Sequence, residues 1–248
     1  MSEWNPWHGC TKISPGCSNC YVYRRDEEFG RDPATLHKTS AFDLPIRRRR
    51  DGNYSLSSSG GTVFTCFTSD FFHPDADEWR GEAWSFIHER QDLRFFIVTK
   101  RPDRFYASLP ENWGDGYDNV YLCCTCENQA LADERIPVFM SLPLKHYSLI
   151  FEPMLERVDI RRHLELYGDR ISQVACGGES GANARIFSYE WALDLRDQCI
   201  DYDVSFRFKQ TGSAFEKDGR LYMIKRRDQV AQASRAGIDY RPENIFMS

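Results

Sequence analysis

From residue 62 onward the chain alternates short apolar runs with longer amphipathic stretches. The apolar runs are Thr62–Phe67, Arg94–Thr99, Asn119–Cys124, His146–Phe151, Ser172–Cys176 and Val204–Lys209. Each is about five or six residues long and rich in β-branched or aromatic side chains, as buried parallel strands are. Between them Glu78–Arg90, Gln129–Met140, Arg157–Tyr167 and Tyr189–Cys199 have helical character. This alternation predicts βα units on a parallel sheet, an α/β fold. Six strands, with a short further one near the N-terminal cysteines, predict a TIM-like parallel βα barrel or partial barrel. A single domain over residues 1–248 is expected, with no internal repeat and no heptad pattern. The run Arg47–Arg50 followed by Ser-Leu-Ser-Ser-Ser-Gly-Gly at Ser55–Gly61 predicts a flexible insertion at 47–61.

In βα barrels the working residues emerge at the C-terminal ends of the strands. Here the first run leads into Thr68, Ser69 and Asp70, and the second into Lys100 and Arg101. The third leads into Thr125, Cys126, Glu127 and Asn128, and the fourth into Glu152-Pro153. The fifth ends in Gly177-Gly178-Glu179-Ser180-Gly181 and the sixth in Lys209-Gln210-Thr211-Gly212. Asp70, Asn128 and Ser180 would also serve as helix caps. Lys100, Glu152 and Lys209 are poor caps, so the pattern reads as one ring of charge around one site. Asp70, Lys100, Arg101, Glu127, Glu152, Glu179, Ser180 and Lys209 are its candidate cofactor-binding residues.

Charge narrows the function. The net charge of −5 argues against a protein that coats nucleic acid by charge alone. A local basic face at Arg47–Arg50, with Tyr54 nearby, remains open beside its reading as a solvated loop. No basic-then-apolar leader opens the chain, and no stretch approaches the roughly 18 apolar residues of a membrane span. A soluble, cytoplasmic protein is expected. There is no Gly-x4-Gly-Lys-Ser/Thr segment, and Gly177-Gly178-x-x-Gly181 lacks the dinucleotide-binding spacing.

Nine cysteines are many for a reducing compartment, where clustered thiols point to metal rather than disulfides. Cys10-x6-Cys17-x2-Cys20 lies in a loop, residues 8–21, full of Gly, Pro, Ser and Asn. Three thiolates from one loop leave a fourth metal position open, which in a cubane cluster is one iron free for an outside ligand. Zinc is the competitor, with His8 or Cys126 completing the site. Cys66, Cys176 and Cys199 read as packing residues, as does at least one of Cys123 and Cys124, which face opposite ways in their strand.

These motifs carry a resemblance. Trp4-Asn5-Pro6, Gly9-Cys10-Thr11-Lys12, Ser14-Pro15-Gly16-Cys17 and Asn19-Cys20-Tyr21 resemble the opening signature of the phage three-Cys-motif family (domain of unknown function 5131). The resemblance continues through Ser69-Asp70-x-Phe72-His73, Thr99-Lys100-Arg101-Pro102, Glu152-Pro153-Met154-Leu155, Gly177–Gly181 and Phe208-Lys209-Gln210-x-Gly212. That family is similar to radical S-adenosylmethionine enzymes. The resemblance implies a 4Fe–4S cluster on Cys10, Cys17 and Cys20, and S-adenosylmethionine chelated through its amino and carboxylate groups. It also implies a flavodoxin- or ferredoxin-like electron donor and a 5′-deoxyadenosyl radical that abstracts hydrogen from substrate. Glu152 and Glu179 are candidates for the methionine amino group, and Lys100 or Arg101 for its carboxylate. The chain departs from the superfamily in the six residues between its first two cysteines and in the late position of its Gly-Gly-Glu segment. It departs from the family itself in the cysteines of Cys123–Glu127.

The phage association makes a nucleotide or DNA base the expected substrate, with rearrangement or isomerisation a reaction that suits a radical. Two other classes stay open. One is a zinc enzyme with Glu152 or Glu179 as general base; the other is a non-catalytic metal protein that binds a partner.

Overall fold

The structure, a computed structural model, describes residues 2–57, 61–107 and 109–243. Its strands are β1 (Ser2–Trp4), β2 (Trp7–His8), β3 (His37–Lys38), β4 (Thr62–Thr65), β5 (Arg94–Thr99) and β6 (Val120–Thr125). They continue as β7 (Tyr147–Phe151), β8 (Ile171–Gly177), β9 (Phe187–Ser188), β10 (Phe206–Gln210), β11 (Ala214–Lys217) and β12 (Arg220–Met223). The helices are α1 (Tyr21–Glu28), α2 (Asp77–Glu89), α3 (Gln129–Met140), α4 (Arg161–Tyr167), α5 (Tyr189–Asp201) and α6 (Arg226–Ala236).

Seven strands form one sheet in the order β1-β4-β5-β6-β7-β8-β10. Apart from the first connection, each strand lies beside its successor with helical or irregular chain between. This is the singly wound order of a βα half-barrel, and it bears out the α/β expectation. All six expected strands and all four expected helices exist. The expected strand at Thr62–Phe67 stops early, at Thr65, where Cys66 has a φ of +63°, a left-handed conformation that breaks the regular extended backbone. Helix α4 begins at Arg161 rather than Arg157, because the amide N–H of Ile160 donates to Gln198 and that of Arg161 to Asp159 (2.7 and 3.0 Å). Helices α1 and α6 and the β11–β12 hairpin have no counterpart in the sequence reading.

The chain divides into two compact units. The first holds Met1–Ile13, Val22–Cys124 and Ser141–His146. Its strands β1, β4 and β5 pair in parallel, and β5 pairs with β6 from Phe95↔Val120 to Thr99↔Cys124. Its core is aromatic: Trp84 lies edge-on to Phe71 at 4.8 Å and to Trp113 at 4.9 Å. The basic run is held here. Arg48 and Tyr54 form an isolated antiparallel bridge, and the Tyr54 ring lies between the guanidinium groups of Arg48 and Arg90 (4.1 and 4.0 Å). Residues 58–60 of the expected flexible insertion lie outside the described residues.

The second unit holds Ser14–Tyr21, Thr125–Met140 and Tyr147–Ser248. Strand β8 pairs in parallel with β7 on one side and β10 on the other. Strands β9, β11 and β12 make a small second sheet, with β12 at its edge. Phe187, Phe208 and Phe215 stack at 5.8–6.3 Å and join the two sheets of this unit. Among the described residues no helix is long and apolar enough to cross a membrane.

Candidate functional site

In the first unit the chain around Cys10 is fastened to the ends of β4 and β5. Gly9 has a φ of +97°, and a Cβ there would lie 2.3 Å from the Thr35 carbonyl oxygen, so only glycine fits. The Gly9 N–H donates to Thr68 (3.2 Å) and its carbonyl accepts from the Ser69 hydroxyl. Arg101, buried beyond β5, donates to the Thr11 carbonyl (3.0 Å) and hydroxyl (2.8 Å), and its guanidinium stands 3.8 Å from the Cys10 sulfur. Asp70 answers that charge at 3.3 Å. The Asp70 carboxylate also accepts from the Phe72 N–H, the Thr99 hydroxyl and the Lys100 N–H, at 2.8–2.9 Å. Burial opposes the Arg101 charge, but Asp70 and the Cys10 sulfur outweigh it and raise its pKa.

Buried His73 extends this network. Its Nδ1 accepts the Asp75 N–H, so Nε2 carries the proton and donates to the Thr11 hydroxyl at 3.0 Å. Burial, and then the Arg101 charge, lower its pKa and keep the ring neutral. His8, a zinc candidate, is paired with buried Asp26 at 2.7 Å.

In the second unit the segment Ser14–Tyr21 is fastened to the residues following β6 and β8. Glu127 is fully buried. One of its oxygens accepts the Ser14 hydroxyl and the other the Gly16 N–H, both at 2.7 Å. A Cβ on Gly16 would lie 2.3 Å from the Glu127 carboxyl carbon. The Pro-Gly turn of the motif is therefore the cradle of a carboxylate. Glu179 does the same work three residues on. It accepts from Asn19 (3.0 Å) and from the amide and Nε of Arg185 (2.9 and 3.0 Å), while the Arg185 guanidinium also reaches the Pro15 carbonyl (3.0 Å). Burial would raise the Glu179 pKa, but the bonds from Arg185 and Asn19 prevail and lower it.

The other candidates of this unit differ in exposure. Ser180 donates to the buried Gln229 of α6 (2.6 Å), which ties the strand end to that helix. Lys209 and Glu152 form an ion pair whose side chains keep 41 % and 17 % exposure. This pair is the more open charge at these strand ends, and its two signs complement the carboxylate and ammonium of a free amino acid. Gly178 lets β8 and β10 close on each other here: a Cβ would lie 2.5 Å from the Thr211 carbonyl oxygen.

The structure thus gathers Asp70, the Lys100 backbone and Arg101 about Cys10. It places Glu127 and Glu179 under Cys17 and Cys20 as loop anchors, and leaves Glu152 with Lys209 as the accessible pair. Arg185 and His73 were not singled out from sequence as site residues. His73 lies in a quoted motif, and Arg185 follows the Gly177–Gly181 run by four residues; Gln229 carried no signal.

All nine cysteines are thiols; Cys10, Cys17 and Cys20 are half-buried and the other six buried. Burial pushes Cys66 and Cys176 well above the usual thiol range and Cys199 up to about 12. Metal ligation requires a thiolate, which burial disfavours at these three, whereas Cys10, Cys17 and Cys20 keep partial access to solvent. Cys126, the other zinc candidate, is fully buried. Among the described residues no three His, Cys, Asp or Glu side chains stand gathered as a metal site.

A family model described as "Protein of unknown function (DUF5131)" matches residues 1–241. The chain belongs to the DUF5131 family. No curated protein matches this DUF5131 chain. Among solved structures it is similar to spore photoproduct lyase complexed with dinucleoside spore photoproduct. The two share 14 % identity over 79 % of this chain and 71 % of that one, with a TM-score of 0.43.

Proposed function

We propose that this DUF5131 protein is a radical S-adenosylmethionine enzyme whose 4Fe–4S cluster is held by Cys10, Cys17 and Cys20. The observation that carries the reading is the anchoring of the cysteine loop. A fully buried carboxylate, Glu127, uses both oxygens to hold Ser14 and Gly16, next to a cysteine that stays half-buried. A carboxylate buried to fix a loop backbone is costly, and preorganisation of ligands accounts for that cost better than packing does. A 4Fe–4S cluster on these cysteines, with one iron left open, would supply the electron that cleaves the sulfonium S–C5′ bond of S-adenosylmethionine into methionine and a 5′-deoxyadenosyl radical.

The protein's own residues bind and orient. Glu152 receives the methionine ammonium and Lys209 its carboxylate, exchanging their mutual ion pair for two new ones. Arg101 donates toward the Cys10 sulfur and holds Thr11. A reduced flavodoxin- or ferredoxin-like protein of the cytoplasm supplies the electron.

The test is iron, sulfide and zinc analysis after anaerobic purification, with electron paramagnetic resonance of the reduced protein. About four irons per chain and a spectrum that shifts on adding S-adenosylmethionine are expected. Stoichiometric zinc without iron would overturn the reading.

A further inference from the structure

Strand β12 is exposed along its whole length, on both faces. Leu221 is 54 %, Tyr222 45 % and Met223 68 % exposed, three adjacent large side chains on the edge strand of a small sheet. An uncovered edge of this kind calls for a partner.

The register of the hairpin sorts its side chains. Phe215 lies opposite Tyr222 and Lys217 opposite Arg220, so these four share one face; Leu221 and Met223 take the other with Glu216 and Ala214. On that face Phe215 is buried against Phe187 and Phe208 and the Lys217 ammonium stands 5.0 Å from the Tyr189 ring, so that exposed Tyr222, with Lys217 and Arg220, forms the open rim of the face. Exposed Lys225, Arg226 and Arg227 follow directly. Between Ala214 and Asp228 five basic side chains face three acidic ones, in a chain whose net charge is −5. One of the acidic ones, Asp228, is paired with Arg227 at 3.7 Å.

The hairpin is rigidly mounted. The Ser213 N–H donates to the Glu179 carbonyl (2.7 Å), the Gly181 N–H to the Ser213 hydroxyl (2.9 Å), and the Ile224 N–H to the Ser213 carbonyl (2.8 Å). Buried Gln229 binds the Ser213 hydroxyl (2.9 Å) and the Ile224 carbonyl (3.2 Å). The base of the hairpin is thus fixed to the strand end that carries Glu179.

We infer that the β11–β12 hairpin is a binding surface for single-stranded nucleic acid. A base stacks on Tyr222, and phosphates lie on Lys217, Arg220 and the Lys225–Arg227 run. Stacking platforms between cations are how proteins hold single strands without reading sequence. A second copy of the chain is the less favourable occupant, because a symmetric contact would set each basic patch against itself. The inference deepens the proposed function by naming its substrate class, and rests on that reading only for what the bound strand is brought to.

The test is fluorescence anisotropy of a labelled 12-nucleotide single-stranded DNA, and of its RNA equivalent, with the full-length protein as purified. Tyr222→Ala is expected to weaken binding about tenfold. Lys217→Glu with Arg220→Glu is expected to weaken it further and to flatten the log–log salt dependence by about 1.4. Arg235→Glu, the same kind of charge reversal at the far end of α6, is expected to bind as the unaltered protein does. Equal affinity in all of these proteins would overturn the inference. So would an absence of binding, whether the protein is monomeric or forms a dimer that Tyr222→Ala dissolves. Iron content of the same preparations reports on the cluster separately, so failure of one assignment is not failure of the other.

Discussion

The amide N–H of Gly16 meets the carboxylate of Glu127 at 2.7 Å, across 111 positions of sequence. The contact joins the cysteine motif to the end of β6, and it requires both partners. Without a side chain at Gly16 the carboxylate can enter; without the carboxylate the turn loses its two fixed bonds.

Gly16→Ala should therefore cost the protein its loop geometry, since the new methyl would overlap the Glu127 carboxyl group. Glu127→Gln keeps the shape but turns one acceptor into a donor facing Ser14 or Gly16. We expect a loss of about 1–3 kcal/mol, the cost of an unsatisfied buried group, read in urea denaturation. Iron content after reconstitution should fall in both variants. Unchanged stability and iron in Glu127→Gln would remove the clamp from the account.

Cysteine replacements should divide by exposure. Cys17→Ala is expected to lose iron and visible absorbance while the protein stays folded. Cys199→Ala should retain both and lose about 1 kcal/mol of stability from the small cavity it opens. Iron loss in both, or in neither, would contradict the division between loop and core thiols.

The buried pair Asp70–Arg101 should behave as a unit. Removing one partner strands the other's charge, so Asp70→Asn or Arg101→Gln alone should destabilise by about 3–5 kcal/mol. The double variant should lose clearly less than the sum of the two, because neither charge is then left unpaired. Simple additivity in chemical denaturation would show that the pair is not coupled.

The depressed Glu179 carboxyl makes a prediction about acid. A carboxylate whose pKa is lower folded than unfolded contributes stability that is complete above the unfolded value, about 4.3. That contribution is lost as pH falls through the lowered folded value. Glu179→Gln should thus be less stable than the unaltered protein at pH 7, and the difference should shrink below about pH 4. A difference that stays constant from pH 7 to pH 3 would rule out the titration.

Affinity for S-adenosylmethionine tests the accessible pair. Glu152→Gln should bind it more weakly by isothermal titration calorimetry, whereas Glu111→Gln, at an exposed turn, should match the unaltered protein. Equal affinity in all three would take Glu152 out of the site.

Local pattern was enough to recover the sheet. The runs at Arg94–Thr99 and Gln129–Met140 appear in the structure with the bounds read from sequence, because periodicity reports burial and burial decides whether a segment is strand or helix. The polar residues beyond the strand ends were legible for the same reason. What a polar side chain bonds to is another matter. Glu127, Glu152 and Glu179 look alike in sequence, each a carboxylate past a strand. Tertiary structure alone makes the first a buried anchor for Gly16, the third a clamp on Asn19 and Arg185, and leaves the second open with Lys209. It also decided the early end of the first strand, at the left-handed Cys66, and the exposed edge of β12. Hydrophobic pattern is a property of neighbours along the chain, whereas hydrogen-bond partners and uncovered edges depend on residues tens to more than a hundred positions away.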